Sequence, residues 1–95
     1  MNSEQARTIA EVCKMLADGT RVQMLVELAD GQKSVSALSE ALGINQPTAS
    51  HHLALLRMNG LLNRERQGKQ MFYSVNRKRL QATIKLLDSK FSRDR

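Results

Sequence analysis

At 95 residues the chain has the length of one ordinary domain, with no room for a catalytic domain beside it. Fifteen Lys and Arg against nine Asp and Glu leave a formal net charge of +6, which favours a polyanionic partner, either nucleic acid or an anionic membrane surface. One cysteine excludes an intrachain disulfide framework and fits a reducing compartment, and no apolar run approaches the ~18 residues of a bilayer span.

The first residues, Met1 to Gln5, have neither a basic stretch nor an apolar one, so the expectation is a cytoplasmic protein without a signal peptide. Ile9, Val12, Cys13 and Leu16 then fall at i, i+3, i+4 and i+7, the stripe of an amphipathic helix over about residues 4–17. On that stripe Cys13 reads as a buried small hydrophobe. Asp18 can cap the next helix, which carries Val22, Leu25, Val26 and Ala29, and Gly31 follows its end. Ser34 or Ser36 caps a short helix holding Val35, Leu38 and Leu42, and Gly43 stops it. Asn45 is a good N-cap, and Pro47 is tolerated in a first turn whose N–H groups lack helical partners. The helix after it turns Ala49, Leu53 and Leu56 inward and ends at Asn59-Gly60.

The period then changes from helix to strand. Leu61 to Arg66 and Gln70 to Val75 are two short strands joined by Gln67-Gly68-Lys69, with Gly68 supplying the positive φ of a tight hairpin. Asn76 can cap a last helix, about 77–92, with Leu80, Ile84, Leu87 and Phe91 along one side. The fold class is mainly α with a small β-hairpin, in the order α-α-α-α-β-β-α. The methionines Met15, Met24, Met58 and Met71 read as core or interface filler.

Two short helices meeting at Leu42 to Asn45 make the pattern of a helix-turn-helix, over about 34–59. In that motif the second helix lays its N-terminal half in the major groove of DNA. The polar residues there are Gln46, Thr48, Ser50 and His51, short donors and acceptors of the kind that read base edges or hold phosphates. A hairpin directly after such a helix, about 61–75, is a wing. Arg57 at the helix end and Arg64, Arg66 and Lys69 on the wing complete a basic surface for double-stranded DNA. Charge supports a one-sided surface. Residues 57–95 hold eleven basic side chains against Glu65, Asp88 and Asp94, whereas residues 1–56 hold four against six acidic ones.

The segments LADGTRVQMLVEL, SVSALSEALGINQPTASHHLALLRMNGLL and RERQGKQMFYSV resemble the ArsR/SmtB family of dimeric winged helix-turn-helix repressors. The resemblance runs from about Leu16 to Val75. It implies a homodimer built from the first and last helices. It also implies an inverted-repeat operator, with repression until a signal releases the protein. Its recognition positions fall on Gln46, Thr48, Ser50 and His51. The dimer seam expected here is formed by Ile9, Val12, Leu80, Ile84, Leu87 and Phe91.

The chain departs from the family in its metal ligands. Where many members carry Cys-X-Cys, this one reads Ser36-Ala37-Leu38-Ser39-Glu40, and Arg77 to Phe91 has no His and only Asp88 as a carboxylate. A Zn²⁺ site wants about four ligands, while the chain's only Cys and His are Cys13, His51 and His52. The expectation is no metal, no cofactor and no enzymatic activity, with the effector unknown. His51 is expected to face DNA with Pro47, and His52 to pack toward the protein body near the wing. The alternatives are a protein-interaction module on the same fold, using its final amphipathic helix, and a membrane-surface helix over 77–95.

Overall fold

The computed structural model describes residues 1–91. In chain order it contains α1 (Ser3–Leu16), α2 (Gly19–Leu28), β1 (Lys33–Ser34), α3 (Val35–Leu42), α4 (Gln46–Met58), β2 (Leu62–Gln67), β3 (Gln70–Val75) and α5 (Arg77–Phe91). The last helix was expected to reach about residue 92; Ser92 lies outside the described residues, as do the last positions of the proposed 77–95 membrane helix.

Each helix start is set by a side chain that accepts orphan N–H groups. Asn2 and Gln5 form a reciprocal capping box on α1, with bonds of 2.8 and 3.0 Å. Asp18 caps α2 by accepting from the Arg21 N–H, and Ser34, rather than Ser36, caps α3 by accepting from Ala37. Asn45 accepts from the Thr48 N–H at 2.8 Å, and Asn76 caps α5 by accepting from Arg79. Between α3 and α4 the backbone must reverse quickly. Gly43, at φ +69°, leaves α3 in the left-handed conformation, and the Ile44 N–H bonds back to the Ser39 carbonyl at 3.0 Å.

The core is a set of aliphatic side chains from every helix of the motif. Met24, Leu28, Leu38, Leu53, Leu56 and Leu61 are sealed from solvent, with Val12, Met15, Leu62 and Tyr73 closing the edges. The three strands form one antiparallel sheet in the order β1-β3-β2. Lys33 pairs with Tyr73 and Arg64 with Tyr73 across β3, so one sheet face carries Lys33, Tyr73 and Arg64 in a row. The hairpin closes on Gln67 and Gln70 with Gly68-Lys69 between them. A positive φ at Gly68 (+66°) and none at Lys69 is the signature of a type II′ turn.

Several expectations need correction. The two-residue strand β1 was not anticipated: Lys33-Ser34 is too short to show a period, and only its pairing with β3 makes it a strand. On α2 the buried residues are Met24, Leu25 and Leu28, whereas Val22, Val26 and Ala29 are exposed. The helix turns its bulkier Met and Leu inward and leaves the smaller apolar residues outside. Cys13 is exposed, and Met15 takes the buried place on α1. Met58 is exposed too, so it is not core filler. Ile9 and Val12 were assigned to a subunit seam, yet both are buried within the chain itself, Val12 as part of the main core. They leave little surface for a partner. Leu80 likewise packs against the core.

Candidate nucleic-acid interface

α4 is held by one stripe and exposes the rest. Ala49, Leu53 and Leu56 are fully buried against α2, α3 and the base of the hairpin. At 100° per residue this leaves the remaining arc to solvent. Gln46, Pro47, Thr48, Ser50, His51, Ala54 and Arg57 are all exposed. Apart from Pro47 and Ala54, these are the polar and basic residues that the sequence singles out on this helix. His51 and Pro47, four residues apart, share a face. The first turn of α4 also keeps N–H groups without helical acceptors. The Thr48 N–H is taken by the Asn45 side chain, Pro47 has none, and the Ala49 N–H donates to the Asn45 carbonyl, which leaves the Gln46 N–H to favour a phosphate oxygen.

The wing projects beside this face. Beyond Leu62 every residue of β2 is exposed, so Arg64, Arg66 and, at the tip, Lys69 stand in solvent. Arg64 and Arg66 lie on the same side of the strand, opposite Tyr73 and Met71 respectively. A groove of about 300 Å³ joins the two elements, lined by Gln46 of α4, Ser34 to Ser36 at the start of α3, and Lys69 to Met71 of the wing. The start of α4 and the tip of the wing therefore bound one concave surface. Arg57 stands apart, in the last turn of α4, where a cation also complements the helix C-terminus.

His52 turns the other way. It is half-buried, and its Nδ1 lies 3.3 Å from Arg21 Nη1 on α2. It faces the protein body as expected, but at the α1–α2 corner and not near the wing. Arg21 was missed from the sequence. Its one signal was position: a basic residue three places after a capping Asp, in a helix whose other buried residues are apolar. Asp18 accepts the Arg21 N–H, and this bond, with the positive charge of Arg21 nearby, holds its carboxyl below the usual aspartate value against some desolvation.

The far side of the molecule has a different chemistry. α5 packs along α1, and the groove between them, about 370 Å³, is lined by Thr8, Ile9, Ala82, Thr83 and Leu86 with Glu4 and Arg79 at its rim. Ile84 and Phe91 on α5 are 55% and 78% exposed, and Leu87 is half-buried. Among the described residues, no three His, Cys, Asp or Glu side chains converge as a metal site would require, and no helix is long and apolar enough to cross a membrane.

Comparison with known proteins agrees with this geometry. The model of the family described as bacterial regulatory protein, arsR family, matches residues 18–64, which run from the α2 cap through α4 into the wing. The HTH-type transcriptional regulator KmtR of Mycobacterium tuberculosis is 41% identical over 81 residues, 85% of this chain and 62% of KmtR, so the chain spans less than two thirds of that relative. The transcriptional activator HlyU of Vibrio cholerae is 34% identical over 87 residues, 92% of this chain and 80% of HlyU. A solved structure of HlyU superposes with a TM-score of 0.79 at 31% identity, covering 98% of this chain and all of that one. A homodimeric winged helix-turn-helix DNA-binding domain from Mycobacterium bovis superposes at 0.74 with 31% identity, covering 98% and 92%. With the helix-turn-helix, the basic wing and these likenesses together, the chain belongs to the ArsR family of bacterial regulatory proteins.

Proposed function

We propose that this protein is a transcriptional regulator, acting as a repressor, that binds an inverted-repeat operator in double-stranded DNA as a homodimer. The observation that carries the reading is the exposed polar face of α4 beside a wing whose basic strand β2 and tip stand in solvent. Gln46, Thr48, Ser50 and His51 read or contact the major groove. Arg57, Arg64, Arg66 and Lys69 hold the phosphate backbone, and the wing tip sets the register of α4 along it.

Dimerisation supplies the second half-site. Ile84 and Phe91, with the half-buried Leu87, form an apolar strip on α5 that the described residues leave open, and the similar Mycobacterium bovis domain is named as homodimeric. A twofold axis there sets two copies of α4 about one helical turn of DNA apart, ~34 Å, and imposes palindromic symmetry on the operator. Occupancy of a promoter then blocks transcription. The working compartment is the cytoplasm, where the chromosome lies; no metal, cofactor or catalytic step takes part.

Selection of bound duplexes from a randomised pool tests this. The expected product is an inverted repeat whose affinity falls steeply between 50 and 200 mM salt, by about a thousandfold or more for six phosphate contacts. Enrichment of no sequence, or of a single unrepeated half-site, counts against the reading.

A further inference from the structure

We infer that Arg21 is a positioning residue for the reading helix, acting through His52. The guanidinium is half-buried where α1, α2 and α4 meet. Its Nε donates to the Met15 carbonyl at 2.9 Å and its Nη2 reaches the Lys14 carbonyl at 3.4 Å. Both acceptors lie in the last turn of α1, where a cation is favoured by the helix dipole. Its own backbone N–H is fixed by the Asp18 carboxylate at 3.1 Å. So held, Arg21 presents Nη1 to His52 Nδ1 at 3.3 Å. A guanidinium can only donate, so Nδ1 accepts, and the imidazole is neutral with its proton on Nε2.

The need for such a tie follows from how α4 is otherwise held. Ala49, Leu53 and Leu56 are apolar contacts, which resist separation but have little directional preference. A small roll of the helix about its axis keeps them buried. A hydrogen bond is directional and does not tolerate that roll. His52 points about 160° around the helix from Ser50 and about 120° from Gln46, although only about 40° from Thr48, so it fixes rotation from a side away from Ser50 and Gln46. A roll that breaks the bond swings Gln46 and Ser50 out of register with base edges, while the phosphate-binding arginines of the wing stay where they are. Arg21 thus governs sequence discrimination more than general affinity. The inference rests on α4 being the DNA-reading helix.

The test uses the full chain, the duplex recovered by selection, and a random-sequence duplex of the same length. His52→Leu keeps the bulk and removes the acceptor. It is expected to lose about tenfold on the selected duplex and less than twofold on the random one. His52→Gln, whose side-chain carbonyl can accept from Arg21, is expected to recover most of the loss. In parallel, nitrogen NMR at pH 7.5 should show His52 with Nδ1 unprotonated, and its Nδ1 resonance should move in Arg21→Lys. A proton found on Nδ1, or a His52→Leu protein that discriminates as the wild type does, overturns the tie. A wild type that prefers no duplex at all overturns the underlying DNA reading instead, and the NMR result still reports on the bond.

Discussion

α4 and α5 carry apolar stripes of similar spacing and end in opposite states. On α4, Ala49, Leu53 and Leu56 have no exposed surface at all. On α5 only Thr83 is buried, Leu80 and Leu87 are half-covered, and Ile84 and Phe91 face solvent. The difference lies in what surrounds each helix. α4 is enclosed by α2, α3 and the start of β2, whereas α5 has α1 along one side. Periodicity says that a face wants cover; it does not say whether the cover comes from the same chain. The helix with its apolar face sealed has its polar face free for DNA. The helix with its apolar face bare has it free for a second copy.

The largest way to break this contrast is at the sealed face. Leu53→Ala should destabilise the fold by about 2–5 kcal/mol, because the buried site cannot collapse around the lost atoms. Ile84→Ala should behave differently. Its loss should grow or shrink with protein concentration, since its partner atoms belong to another molecule. Urea unfolding at two protein concentrations measures both. A benign Leu53→Ala beside a concentration-independent loss at Ile84 inverts the comparison.

The next effect is on assembly. Leu87→Glu sets a carboxylate in the apolar seam and is expected to weaken the dimer by about a hundredfold, weakening operator binding with it. Sedimentation reads the first and gel shift the second. A wild type that is monomeric at micromolar concentration removes the premise.

At the free polar face the expected losses are smaller and of two kinds. Gln46→Ala and Ser50→Ala should each cost about 1–3 kcal/mol on the selected duplex, with much less on random DNA. Arg66→Ala or Lys69→Ala should weaken both and reduce the salt slope by about one unit per phosphate contact. Equal loss on both duplexes for Gln46→Ala means that the reading face lies elsewhere on α4.

Much of this arrangement was legible because punctuation residues act locally. Asn45, Pro47 and Gly43 fix the turn before α4 through backbone chemistry that needs no tertiary information, and Gly68 fixes the wing in the same way. What was not legible depends on contacts distant in sequence. β1 exists only because β3 pairs with it. The phase of α2 depends on which of several apolar residues faces the shared core, and there Met24 and Leu28 displace Val22 and Val26. Cys13 lies on a plausible stripe, yet α1 turns Met15 inward instead. Arg21 shows the same limit at the candidate site. Its partners Lys14 and Met15 are near in sequence, but His52 is 31 residues away, and nothing local announces that meeting.

The smallest expected effect concerns the corner beneath that meeting. Asp18 caps α2, and its carboxyl is held below the ordinary 3.8, first by the hydrogen bond from the Arg21 N–H and then by nearby positive charge. A depressed folded value means that the folded state binds the proton less readily than the unfolded chain does. The stabilisation is therefore complete above the unfolded value and is lost as pH falls below 3.8 through the lower folded one. Asp18→Asn keeps an oxygen that can accept the same bond, since Asn and Asp are comparable N-caps. It removes the titrating charge. The variant should lie slightly below the wild type at pH 7, where it lacks the carboxylate's attraction to Arg21 and the helix start. It should lose less stability than the wild type between pH 5 and pH 3, so that the two converge. Thermal unfolding across that range measures the difference, with the other carboxylates common to both proteins. Parallel acid limbs would show that Asp18 serves as a cap alone and that its charge contributes nothing to the corner on which Arg21 is built.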